Sequence, residues 1–295
     1  MHQKRLEGKV ALVAGGTRGA GRGIAIALGG EGAKVYVTGR SSNGTFSEME
    51  RKETIEGTAA LVNQAGGVGI SVRTDHTDQE QVRSLVQKIS EENDGKLDIL
   101  INDVWGGDHL MQWGNKFWEQ DLQKALRMFN NCLQSHLITA YYASPLLVKN
   151  GSGLLVEITD GIDYRYRGDL AYSLTKSSVI NLAVCLSEEL KSSGVAALAL
   201  TPGFLRSEAM LDYFGVTEEN WKDGAKKDEH FIASETPAFV GKAVACLASD
   251  PNILQKTGKA WSSWKLSDEY GFTDSDGTRP HWGNYFKEKF GEDLN

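Results

Sequence analysis

Short apolar runs recur along the chain at 9–15 (KVALVAG), 34–39 (KVYVTG), 69–75 (GISVRTD), 97–103 (LDILIND), 153–160 (GLLVEITD) and 194–203 (GVAALALTPG). They are rich in Val, Ile and Leu and barely alternate, which is the pattern of strands covered on both faces. Between them apolar residues return with a helical period, at about 20–31, 52–65, 78–92, 118–149 and 169–193. Strand and helix in alternation predict an α/β chain: a doubly wound parallel sheet of about seven strands with helices on both faces, in three α/β/α layers. The regularity fades after 203. There follow a short helical piece, a polar stretch at 215–230 (GVTEENWKDGAKKDEH), a helix at about 237–248, a short strand near 259–264 and a polar, aromatic tail.

The first strand runs into AGGTRGAGRGIAIAL, so Gly15, Gly19 and Gly21 fall where a strand turns into a helix. Glycines there let the backbone approach a diphosphate, and the helix N-terminus supplies N–H groups and positive dipole. A dinucleotide-binding turn is predicted, with Gly15, Thr17, Arg18, Gly19, Ala20 and Gly21 as its contacts. The second strand ends VTGRSS, placing Arg40 and Ser41 where a carboxylate would bond a ribose 2′-OH. Arginine suits a 2′-phosphate instead. Arg18 approaches the same phosphate from the loop, so NADP is predicted ahead of NAD. With no internal repeat and no Pro/Ser-rich linker, one domain is read over 1–295. Its nucleotide-binding core is about 6–203, and a substrate loop and C-terminal extension occupy about 204–295.

DLAYSLTK, at 169–176, sets Tyr172 four residues before Lys176. On a helix the two share a face, about 5–6 Å apart at Cβ. An ammonium that close favours the phenolate and draws a pKa near 10 toward neutrality, as proton transfer to or from a substrate oxygen requires.

Bulk properties narrow the remaining choices. The charge is mildly acidic, 39 Asp+Glu against 32 Lys+Arg, without a basic block, so no nucleic-acid platform is expected. No apolar run reaches the roughly 18–20 residues of a membrane span. Cys132, Cys185 and Cys246 lie far apart in apolar contexts, which reads as reduced helix or core cysteines of a cytoplasmic protein. His2, His76, His109, His136, His230 and His281 show no metal-ligand spacing, and there is no GxSxG elbow. Neither a catalytic metal nor a hydrolase is expected. Trp105, Trp113, Phe204, Met210, Leu211, Tyr213 and Phe214 follow strands four and six, where an apolar substrate end would lie.

GGTRGAG, NDVWGG, YSLTK and PGFLRSE, in that order, resemble the short-chain dehydrogenase/reductase superfamily over about residues 6–250. NKFWE and GLLVEITD resemble its DHRS-type branch in particular. The resemblance implies a Rossmann-type fold and a nicotinamide-dependent oxidoreductase of a small carbonyl or alcohol, commonly a homodimer or homotetramer. It implies that Tyr172 is the proton donor or base and that Lys176 bonds the nicotinamide ribose. It further implies that Asn102 lines the nucleotide site, that Asp75 and its neighbour His76 lie near the adenine, and that Pro202 and Gly203 pass beside the nicotinamide.

Two departures stand out. The family serine after strand five falls on Asp160 when counted forward from the strand. It falls on Thr159 when counted thirteen residues back from Tyr172. Thr159 keeps a hydroxyl donor and is the expected functional residue, with Asp160 in substrate orientation or a hydrogen-bond network, since an ionised carboxylate cannot donate. The family asparagine of the fourth helix falls on Cys132, with Asn131 one position away. Asp103 replaces a neutral residue in NDVWGG, either pairing with a cation or facing solvent. These departures keep open a second reading, a dinucleotide-binding regulator without turnover.

Overall fold

A computed structural model describes residues 4–46 and 48–294; His2 lies outside them. Seven strands form one parallel sheet in the order β3-β2-β1-β4-β5-β6-β7. They are β1 (Val10–Ala14), β2 (Lys34–Gly39), β3 (Val68–Arg73), β4 (Ile99–Asn102), β5 (Gly153–Ile158), β6 (Val195–Thr201) and β7 (Ala260–Ser262). The chain moves outward from β1 to β3, then returns to β4 on the other side of β1. The crevice at that reversal, beyond the C-terminal ends of β1 and β4, is where ligands bind in open α/β sheets.

Helices α1 (Gly19–Gly30), α2 (Ile55–Gln64), α3 (Gln79–Glu92), α4 (Leu122–Phe129), α5 (Ser135–Lys149), α6 (Leu170–Leu190), α7 (Glu208–Phe214), α8 (Pro237–Ala248), α9 (Ser263–Tyr270) and α10 (Trp282–Phe290) surround the sheet. Because strand side chains alternate in direction, β1 feeds two separate cores. Ala11 and Val13 join α1, α2 and α8, whereas Val10 and Leu12 join α3 and α5. The α1–α8 pair approaches closely through Gly23, where a Cβ would lie 2.0 Å from the Pro237 carbonyl oxygen. The predicted helix at 118–149 is broken: a π-turn over Asn130–Gln134 separates α4 from α5.

By length and composition alone, Leu170–Ser193 is long and apolar enough to cross a membrane, against the expectation that no stretch is. Its residues Val179, Ile180 and Ala183 are buried in the core, and its first turns carry Tyr172 and Lys176.

Candidate functional site

One cavity of about 1140 Å³ opens along the C-terminal ends of the strands. Its wall includes Gly15, Thr17, Arg18, Gly19, Ala20, Arg40, Ser41, Asp75, His76, Asn131, Thr159, Asp160, Tyr172, Lys176, Pro202 and Gly203. Of the catalytic and cofactor-site residues expected from the sequence, Gly21 and Asn102 are outside it, as are Leu211 and Phe214 of the expected substrate end. Gly21 donates its N–H to Asp103 Oδ2 (2.5 Å). Asn102 departs from expectation because its side chain turns into the protein, donating to Glu157 Oε1 (2.8 Å) and the His136 carbonyl (3.3 Å). Asp103, Val104 and Trp105 form that part of the wall instead.

At the dinucleotide end, β1 delivers the chain into α1 through Gly15, whose φ is +87°. A Cβ there would lie 2.4 Å from the Asp103 carbonyl oxygen, so only glycine fits. Gly19, at φ +57°, leaves open space above the first turn of α1, with no atom closer than 3.8 Å to a hypothetical Cβ. Its N–H donates to Glu208 Oε2 at 2.8 Å, so a carboxylate from α7 holds the place of an anionic oxygen. Arg40 pairs with Glu48 (3.2 Å), and its carbonyl receives Arg73 Nε (3.1 Å). N–H groups at a helix N-terminus, with Arg18 and Arg40 nearby, form a donor set for phosphate oxygens. These residues fit a nicotinamide dinucleotide.

Asp75 accepts from the Thr77 N–H and hydroxyl, which caps the turn into α3. His76 lies between Thr38 and Thr139, and burial pushes its pKa down to about 3, leaving the imidazole neutral. Among the described residues Asp103 forms no ion pair, and it is not in open solvent. Desolvation raises its carboxyl to about 7, against opposing pulls led by Lys176 and the Gly21 N–H.

Further along, Lys176 Nζ lies over the Trp105 ring, 4.1 Å from its centroid, and 5.8 Å from that of Tyr172. Trp105 and Trp113 stand edge-on to Tyr172, each 5.5 Å away between centroids. Tyr172 donates its hydroxyl to Asp160 Oδ2 at 2.7 Å. Burial, then the Asp160 charge, holds the phenol well above its usual 10, opposed by Arg167. The drop toward neutrality argued from Lys176 is therefore outweighed here. Thr159 is the second departure, because its hydroxyl donates to the Lys176 carbonyl (2.8 Å) and fixes α6 to the end of β5. Asp160, not Thr159, faces the phenol. Asn131, rather than Cys132, turns toward the cavity and donates to the Gly106 carbonyl (3.0 Å), while Cys132 is buried.

The substrate end was only partly anticipated. Trp105, Trp113, Phe204, Met210 and Tyr213 line it. Trp282 and Phe286 of α10 do so as well, from the tail that the sequence showed only as polar and aromatic. Trp282, Phe286 and Phe290 recur every fourth residue, a one-sided helical face that signals a packing surface. Arg165 bonds Asp163 and Glu292 and lies over the Phe286 ring.

Comparison with known proteins agrees with this arrangement. The short chain dehydrogenase family model matches residues 9–214. Human dehydrogenase/reductase SDR family member 1 is 33% identical over 276 residues, covering 92% of this chain and 85% of that protein. The 7alpha-hydroxysteroid dehydrogenase of Clostridium sardiniense is 30% identical over 248 residues, covering 84% and 88%. Among solved structures, a short chain dehydrogenase of Mycobacterium thermoresistibile superposes with a TM-score of 0.77 at 22% identity, covering 94% of this chain and 92% of that one. A matched glycine turn, a YxxxK pair on α6 and a seven-stranded parallel sheet thus agree with the family comparison: the chain belongs to the short-chain dehydrogenases/reductases, oxidoreductases that act on alcohol and carbonyl groups with a nicotinamide dinucleotide.

Proposed function

We propose that this protein is an NADP(H)-preferring oxidoreductase of a small, apolar carbonyl or alcohol. The observation that carries this reading is that the glycine turn, the Tyr172–Lys176 pair and the aromatic lining share one cavity. Hydride transfer is the chemistry the dinucleotide supplies. The chain's own residues bind, orient and move a proton. Gly15, Thr17, Arg18, Gly19 and Ala20 would hold the diphosphate, Arg40 and Ser41 the 2′-phosphate, and Asp75 the adenine side. Lys176, Pro202 and Gly203 would hold the nicotinamide side. Preference for NADP is supported by Arg18 and Arg40 in the wall, with Glu48 as the counter-charge a 2′-phosphate would displace. Tyr172 would exchange a proton with the substrate oxygen at Oη.

Trp105, Trp113, Phe204, Trp282 and Phe286 form an end that favours apolar or aromatic groups. Residues 1–295 act as one unit in this reading. Copies assemble into a homodimer or homotetramer through Leu126, Leu137, Tyr141 and Leu174, large apolar residues left exposed on α4, α5 and α6. Three free cysteines suit a reducing cytoplasm.

The test is NADPH binding followed by NADPH oxidation against a panel of apolar ketones and diketones, with Tyr172→Phe beside the wild type. Turnover on at least one carbonyl and its loss in Tyr172→Phe are expected. Tight NADPH binding with no turnover on any member would favour a dinucleotide-binding regulator instead.

A further inference from the structure

We propose that Asp160 is a relay residue for Tyr172, passing protons between the phenol and solvent instead of donating a hydrogen bond to the substrate oxygen. This rests on the reading that Tyr172 handles the substrate proton. The hydroxyl of Tyr172 is aimed at Asp160 Oδ2, 2.7 Å away. Trp105 and Trp113 stand edge-on to the ring, and the Asp160 side chain that receives the hydroxyl is 48% exposed. Asp160 therefore joins the phenol to open water.

The carboxylate is also held in place. Arg167 Nε lies 3.7 Å from Asp160 Oδ2, and the Arg167 side chain is only 9% exposed. That guanidinium is fixed from behind by Asp163, through its carbonyl (2.9 Å) and Oδ1 (3.2 Å), and by the Arg165 carbonyl (2.8 Å). Its approach requires Gly161, at φ +78°, since a Cβ there would lie 2.0 Å from Arg167 Nη2. The neighbouring hydroxyl of Thr159 does not compete, because it is committed to the Lys176 carbonyl.

An ionised carboxylate has no proton to offer a carbonyl. It can only accept, and the proton facing it belongs to Tyr172. With burial and Asp160 holding the phenol well above 10, Tyr172 stays protonated at neutral pH. It can act as a base only by giving up its own proton as it takes another. In alcohol oxidation the substrate O–H proton goes to Tyr172 Oη, the phenolic proton goes to Asp160 Oδ2, and Asp160 releases it to water. The electron pair of the C–H bond leaves as hydride to the oxidised nicotinamide dinucleotide. Carbonyl reduction runs the same path backward, Asp160 recharging the phenol from solvent. The charged groups acting on the phenol besides Asp160 are Arg167, Asp108 and Lys176.

Two measurements test the relay. The first uses the protein without dinucleotide: the ultraviolet tyrosinate signal missing from Tyr172→Phe is followed against pH. Asp160→Asn should lower the pKa of that signal by about a unit or more; an unchanged pKa overturns the proposal. The second follows NADPH oxidation with benzil as the carbonyl probe. Asp160→Ala should lose on the order of 100-fold in kcat, and formate, a mobile carboxylate, should restore part of it, while formamide should not. Wild-type kcat in Asp160→Ala, or no recovery with formate while NADPH binding is intact, also overturns it. Should Asp160→Ala not fold, or benzil not turn over, the titration of the isosteric Asp160→Asn decides. A fully active Tyr172→Phe would instead sink the underlying assignment of the phenol, so the two failures are distinguishable.

Discussion

Asp103 offers a quantitative test of the electrostatics at the dinucleotide end. Its carboxyl borders the cavity, accepts the Gly21 N–H at 2.5 Å and is raised from 3.8 to about 7, mainly by desolvation. A folded-state pKa above the unfolded one means that folding favours the protonated form. Stability from this group is therefore complete below about pH 4, declines as pH rises, and levels off above about 7. The shift is about three units, each about 1.4 kcal/mol, which bounds the loss at about 4 kcal/mol. Because the group touches cavity water, about 2 kcal/mol is the expected share.

The perturbation is Asp103→Asn, which keeps an oxygen for Gly21 and removes the ionisation. Urea unfolding of both proteins at half-unit steps between pH 4 and 8 gives the difference in stability. That difference should move by about 2 kcal/mol in favour of the variant across the range. A constant offset would reflect the amide's own hydrogen bonding; only the slope reports the carboxyl. Parallel curves over the whole range would refute the assignment of a titrating carboxyl to this turn.

Two more outcomes follow from geometry already given. Gly23→Ala should lower stability by about 1–3 kcal/mol, because its Cβ would lie 2.0 Å from the Pro237 carbonyl oxygen and α1 must move off α8. Gly30→Ala, with nothing within 4 Å, is the control and should be neutral or gain up to about 1 kcal/mol; equal melting shifts for the two would refute the close contact. Arg40→Ala should raise the NADPH Kd about 10-fold or more while changing the NADH Kd by less than about 3-fold. Titration by protein fluorescence reads both, and equal losses would remove the phosphate role of Arg40.

The fold was legible because buried parallel strands leave dense apolar runs: β1 to β6 lie inside the six runs to within a residue, and β7 falls at the short strand expected near 259–264. The glycine turn was legible for a related reason. Its function depends on backbone space and φ, which leave a mark in residue type, as at Gly15. What failed were questions of side-chain direction. Thr159 and Asp160 are neighbours at the end of β5, where the strand passes into a loop. Which of them meets Tyr172 depends on where the strand ends and on the pull of the Lys176 carbonyl on a hydroxyl. Asn102 likewise turned inward because Glu157 and the His136 carbonyl offer its amide two acceptors from other parts of the chain. Asp103 was ambiguous because a carboxylate reads as solvent-facing until an N–H such as that of Gly21 is seen to claim it. The place of the tail was not legible, because nothing near Trp282 in sequence reveals that it packs against Phe204, 5.9 Å away between ring centroids.

The π-turn at Asn130–Gln134 has a consequence for how positions along this helix are counted. A wide turn holds one residue more than an α-turn, and each residue advances a helix by about 100°. Positions before the turn keep the phase of α4 and positions after it keep the phase of α5, so no single count from either end is right for both. Counting through this helix as if it were regular gives Cys132 the place that Asn131 occupies in space. Removing one residue from the turn would leave a smoother helix and a worse cavity, with the amide that holds the Gly106 carbonyl swung out of reach. The irregularity is thus a phase correction written into the backbone, and residue roles carried across it have to be assigned by direction instead of by number.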